Sequence, residues 1–233
     1  MAQGDDIDSR KQAHLRSLLD KLGTLMADSA RAEDAERAQA EQTRRALADE
    51  RSVLLERERI ALTFEVKQQL LLGLPLRRTA SLVAVHRWLA RADAPPIIVL
   101  SGAPGCGKSV AAASAFVDAQ LSGRSRRWRS ASALVRTFSG MFGGALHDQQ
   151  LVADAHMLVV EDVGTEPDHA RMSSALVEVL EQRGKDVQLH RTIITTNLRE
   201  GDFATHYDAR LISRLSSRFA AWAYSAGEDL RQP

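Results

Sequence analysis

One cysteine, Cys106, in 233 residues excludes an intramolecular disulfide framework, and no Cys/His grouping has the spacing of zinc ligands. An excess of charge of one sign is also missing. Lys+Arg is 31 and Asp+Glu is 30, and the net charge of +1 selects no class of partner. Affinity for nucleic acid must then come from a local patch and not from the whole surface. Long apolar runs are absent as well: Ile97–Leu100 and Met157–Val160 fall far short of the roughly 20 residues that cross a bilayer. The opening MAQGDDIDSRK has no basic stretch followed by an apolar one, so it does not read as a secretory leader. A soluble, cytoplasmic chain without membrane contact is expected.

Proline is missing altogether between residues 10 and 70, and Gly23 is the one glycine there. The rest of that segment is rich in Ala, Glu, Arg, Leu and Gln, which favour helix. Leu15, Leu18, Leu19, Leu22, Leu25 and Met26 recur at three- and four-residue steps and predict an apolar stripe. Beyond Arg31 the stripe gives way to charge, with Glu33–Arg37 and Glu41–Arg45 in the favourable i,i+4 order. Two readings stand side by side: a solvated helix laying its leucines on the rest of the chain, or a helical module docking a partner. Gly73-Leu74-Pro75 ends the segment, which sets expected domains of 1–72 and 73–233.

Thr79 is placed to cap a short helix carrying Leu82, Val83, Val85, Trp88 and Leu89, and Ala94-Pro95-Pro96 closes it. Strand-like runs then alternate with helical stretches. The strands are expected at 97–101, 127–131, 157–160, 192–196 and 219–223. The helices are expected at 108–121, 132–141, 170–183 and 208–217. Continuous apolar strands imply cover on both sheet faces, and the alternation predicts an α/β domain with a mostly parallel five-stranded sheet.

Gly102-Ala103-Pro104-Gly105-Cys106-Gly107-Lys108-Ser109 matches G-x-x-x-x-G-K-[ST] directly after a strand and directly before a helix that continues at Val110. Glycines let successive backbone N–H groups face a phosphate, and the helix adds its positive end. ATP with Mg²⁺ is the implied ligand. Lys108 is expected on the β- and γ-phosphates and the Ser109 hydroxyl on magnesium, while Cys106 is read as a small residue that fits the loop. An ATPase also needs a carboxylate near magnesium and a base that orients water. Met157-Leu-Val-Val-Glu161-Asp162 offers both, with Glu161 at the metal position and Asp162 at the base position. The usual order is Asp first. A misplacement near 1 Å costs on the order of a hundredfold in rate, so slow hydrolysis is expected, with a non-hydrolysing nucleotide-gated adaptor as the alternative. Asn197, closing Ile193-Ile-Thr-Thr-Asn197, is the candidate polar residue beside the γ-phosphate.

The runs GAPGCGKS, LVVEDVG, TIITTNL, YDARLISRL and GEDLR together resemble the DnaC-type helicase loaders and the related IstB-type transposition ATPases of the AAA+ superfamily. The similarity covers roughly residues 68–231. It implies a five-stranded P-loop AAA+ core, ATP and Mg²⁺, and ATP-dependent self-association into an open or spiral oligomer. Arginine from a neighbouring subunit completes the site in that family. Arg210 and Arg214 fall on the matching positions, Arg210 being favoured and Arg214 the alternate; both also have the spacing of ordinary surface or ion-paired residues. The segment after the core is too short for a helical lid, as in that branch. The resemblance implies a replicative helicase, or a transposase, as partner through the N-terminal helices.

Arg124, Arg126, Arg127 and Arg129 surround Trp128, and Arg136 follows. Such a cluster can form a groove for the phosphates of single-stranded DNA, with tryptophan stacking on a base. Alternation along the strand sets Trp128 opposite Arg127 and Arg129, which equally suits a tryptophan in the core. Gly140-Met-Phe-Gly-Gly144 reads as a mobile loop beside that surface.

Overall fold

The computed structural model describes residues 4–58, 60, 62–139, 145–186, 190–216, 218–227 and 229–230. The expected loop at 140–144 therefore lies outside the described residues. The chain forms two compact units, Met1–Glu50 and Arg51–Pro233.

Helix α1 spans Gly4–Arg57, and its residues 4–50 supply the helix of the first unit. Leu22, Leu25 and Met26 are exposed on it. The anticipated ion pairs form, Glu33–Arg37 at 3.9 Å and Glu41–Arg45 at 3.0 Å. They are solvated and contribute a few tenths of a kcal/mol each, about 0.3–0.5 at this spacing.

The second unit starts earlier than Gly73. Leu54, Leu55, Ile60 and Leu70 are buried in its core, which draws residues 51–72 into it. Thr63 caps α2 (Phe64–Leu72), and Gly73 ends that helix in the left-handed conformation with its N–H on Gln69 and Leu70. Arg51 holds the carbonyls of Leu70 and Leu71 at 3.1 and 2.7 Å, fastening α2 to the end of α1. Thr79 caps α3 (Ala80–Ala90) as the sequence predicts, accepting from the Leu82 N–H.

Five parallel strands follow: β1 (Ile97–Gly102), β2 (Arg126–Ser130), β3 (Met157–Val163), β4 (Arg191–Thr196) and β5 (Ala220–Ser225). They lie in the order β2-β3-β4-β1-β5. Strand alternation divides β1 between two cores. Ile98 and Leu100 face the ends of α1 and α2, α3 and α4 (Lys108–Leu121), while Ile97 and Val99 face the opposite layer. That layer holds α5 (Ala131–Phe138), α6 (Ala145–Ala153), α7 (His169–Arg183), α8 (Glu200–His206) and α9 (Ala209–Arg214). With both faces covered, the strands can be continuously apolar. Helices α6 and α8 are additions to the expected list; each is short and weakly patterned.

Arg183 fastens one end of the sheet. It is 3% exposed, and its guanidinium donates to the carbonyls of Val152, Ala153, Ala155, His156 and Arg191 and to the Thr192 hydroxyl. Burial lowers its pKa to about 9, so it remains charged at neutral pH. Without it, carbonyls at the end of α6 and at the starts of β3 and β4 would be left without these donors. Arg183→Leu is expected to lower stability by on the order of 3 kcal/mol or more, read as a fall in the denaturant midpoint at constant m-value.

Candidate nucleotide site

The strand order determines which tips meet. Strand β4 is inserted between β1 and β3, so the residue after β4 stands between the phosphate loop and the acidic end of β3.

The loop runs from Gly102 at the end of β1 to Lys108 at the start of α4. Gly102 has φ 147°, and a Cβ there would lie 2.2 Å from the Ser225 carbonyl on β5. Gly107, at φ 92°, is the left-handed residue that opens α4. Both positions require glycine. Lys108 is buried, and its ammonium donates to the carbonyls of Gly102 and Ala103, both at 2.8 Å, and to Asn197 Oδ1 at 3.0 Å. Cys106 Sγ lies 3.8 Å from the same ammonium and fills the inside of the loop. Ala103 and Pro104 are exposed, and Val110 continues the first turn of α4.

Across the groove, the Glu161 carboxylate accepts from the Ser109 hydroxyl and, at 3.0 Å, from the Trp128 indole N–H. Burial is the main reason its pKa is raised, with the neighbouring Asp162 charge adding to it; the two hydrogen bonds act in the opposite direction. Asp162 is exposed and has φ 59°, the one left-handed non-glycine among the described residues. The register of β3 against β4 shifts between Val160 and Val163, which turns Asp162 out of the strand. Its N–H is held by Thr195 Oγ1 at 3.0 Å, and its carbonyl accepts from the Thr165 hydroxyl at 2.8 Å.

The predicted Lys108, Ser109, Glu161 and Asn197 are thus brought together. Serine hydroxyl and carboxylate oxygens suit a hard cation such as Mg²⁺. Among the described residues no group of three or more His, Cys, Asp or Glu could hold a metal alone. Magnesium characteristically takes one or two carboxylates and completes its shell from substrate phosphates and water, which this set fits.

Two features escaped the sequence reading. The Trp128 contact with Glu161 is one; it was legible only once β2 and β3 were known to pair. The return of the segment after β5 is the other. The Leu230 N–H donates to the Gly105 carbonyl at 3.1 Å, and Asp229 lies against Gly105.

Arg210 and Arg214 share one face of α9 and one partner. Both donate to Glu181 on α7, at 2.8 and 2.9 Å, and their hydrogen bonds and charge lower its pKa. The four arginines around Trp128 do not form one groove. Arg129 pairs with Glu58 and Asp148, Arg126 lies over the Phe116 ring, and Arg127 donates to a backbone carbonyl. Arg124 is exposed, with a guanidinium nitrogen 2.9 Å from the His156 ring. Trp128 is 4% exposed and packs edge-on to Phe116, out of reach for stacking on a base.

A family model described as IstB-like ATP binding protein matches residues 8–221. The match starts well before residue 68, so the likeness takes in most of α1. Comparison with curated proteins finds no match. Among solved structures, the fold is shared with DnaI at TM-score 0.54 and 18% identity, over 68% of this chain and 88% of that one. A candidate primosome component from Streptococcus pyogenes serotype M3 follows at 0.53 and 14%, over 72% and 93%. AMPPCP-bound DnaA from Aquifex aeolicus aligns at 0.51 and 16%, over 64% and 47%, so this chain spans about half its length.

A raised carboxyl pKa means that the folded state binds the Glu161 proton more readily than the unfolded state does. Stability attributable to this group therefore falls as pH rises through that window. Glu161→Gln is expected to raise the melting temperature of the ligand-free protein at neutral pH. The gap from wild type should close in mildly acidic buffer. Melting curves at the two pH values check this.

Proposed function

Given that this chain belongs to the family of IstB-like ATP binding proteins, we propose that it is a slow Mg²⁺-dependent AAA+ ATPase that assembles on single-stranded DNA and loads a replicative helicase. The observation that carries the nucleotide chemistry is the meeting of Lys108 with Asn197 and of Ser109 with Glu161 at three neighbouring strand ends. In this reading the loop N–H groups wrap the β-phosphate and Lys108 supplies charge to the β- and γ-phosphates. Ser109 and Glu161, with Asp162 beside them, would hold the cation, whose contribution is to neutralise charge on the phosphates. Asp162 orients the attacking water, and Asn197 holds the γ-phosphate side of the pocket.

Arg210 and Arg214 act on the site of an adjacent copy. One carboxylate, Glu181, serves both arginines, which leaves a surplus positive charge on that helix for a neighbour's phosphates. Arg124 is the best placed of the proposed DNA-contacting arginines, being exposed; Arg129 is the least, being held by two acids. The exposed Leu22, Leu25 and Met26 support a docking role for the N-terminal helix. Structural likeness to a candidate primosome component supports the helicase reading. The family match from residue 8 supports the second reading, an ATPase that assists a transposase.

Lys108→Ala should abolish binding of a fluorescent ATP analogue; unchanged affinity would sink the phosphate-loop assignment. Arg210→Ala should bind ATP as wild type does and lose on the order of 10³ in assembly-dependent turnover. Normal turnover would shift the role to Arg214. The full chain with ATP, used as bait in host extract, should recover the replicative helicase. Recovery of a transposase alone would move the protein to the second reading.

A further inference from the structure

Pairing of β2 with β3 sets Ser130 opposite Glu161 and Trp128 opposite Val159. Residues two apart on a strand share a face, so Trp128 is the diagonal neighbour of Glu161, within reach for a ring of its size. The indole N–H uses that reach and donates to Glu161 Oε2 at 3.0 Å. The ring itself is fixed: it is 4% exposed, meets Phe116 edge-on at 5.6 Å, and its backbone N–H is held by Glu58 Oε2 at 3.2 Å.

We propose that Trp128 is the positioning residue for Glu161, pinning the longer carboxylate so that it serves at the magnesium position where an aspartate is usual. This rests on the ATP reading above. Glutamate has one more rotatable bond than aspartate, so an untethered Glu161 would spread over more conformers than the site can use. An indole N–H donates only and carries no charge. It fixes one oxygen without neutralising the carboxylate, as a lysine or arginine would, and leaves the full negative charge for a divalent cation. Ser109 holds the same carboxylate from the phosphate-loop side, so Glu161 is braced between β2 and α4.

The test is a titration of Mg²⁺ at fixed AMPPCP, followed by ¹⁹F NMR of protein labelled with 5-fluorotryptophan. Three signals arise from Trp88, Trp128 and Trp222. The Trp128 signal should move with Mg²⁺ plus nucleotide and stay still with Mg²⁺ alone. Trp128→Phe keeps a ring against Phe116 and removes the donor. It should bind metal-free AMPPCP as wild type does and need about tenfold more Mg²⁺ to tighten nucleotide binding. In a Glu161→Asp background, where the carboxylate is too short to use the indole, the same substitution should change the Mg²⁺ requirement less than twofold. A purely structural role would weaken both backgrounds alike and overturn the proposal, as would an unchanged Mg²⁺ requirement in Trp128→Phe. Should that variant fail to fold, Trp88→Phe and Trp222→Phe assign the signals. A Trp128 signal indifferent to Mg²⁺ with nucleotide bound then overturns it. Failure of wild type to bind AMPPCP at all would instead overturn the ATP reading itself.

Discussion

Everything at the nucleotide site depends on β4 lying between β1 and β3. Parallel pairing points all the strand ends the same way, and neighbouring strands are about 4.8 Å apart. The phosphate loop and the acidic pair therefore flank the tip of β4, roughly two strand spacings from each other. Asn197 stands in the space between and accepts from Lys108. Arg183 serves this arrangement from the opposite end, where it ties the starts of β3 and β4 to α6. A sheet whose strand starts are stapled holds its strand tips in fixed register.

The charges at the site are braced mostly by neutral groups. Lys108 is held by carbonyls and an amide oxygen, and Glu161 by a hydroxyl and an indole. A direct ion pair to Glu161 would neutralise its carboxylate. Neutral partners offset part of the burial cost of Glu161 while preserving its charge. The contrast is Arg129, whose charge is taken up by Glu58 and Asp148 and which belongs to the scaffold.

Much of this was legible in the chain. The phosphate loop declared itself because glycines, lysine and serine must fall at fixed spacing between a strand and a helix. Glu161 and Asn197 followed from their places at the ends of apolar strands. Less could be read where burial and partner choice depend on tertiary contacts. Leu54, Leu55 and Leu70 look like the rest of a long helical segment, yet their burial moves the start of the second unit ahead of Gly73. Arg124 to Arg129 look like one basic patch, but a strand sends successive residues to opposite faces and each finds a different partner. Helices α6 and α8 lack a clear apolar period, so nothing local announced them.

The left-handed backbone at Asp162 bears on how this acidic pair can change over evolutionary time. Of the ionisable residues, aspartate is among those that tolerate that conformation best, whereas most L-residues lose about 1–2 kcal/mol there. Converting Glu161-Asp162 to the commoner Asp-Glu order would place glutamate at the strained position and withdraw the carboxylate from Trp128. Neither single replacement is an improvement, so a lineage starting from this sequence meets a valley in either direction. The order of the two acids is thereby tied to the bulge and the tryptophan.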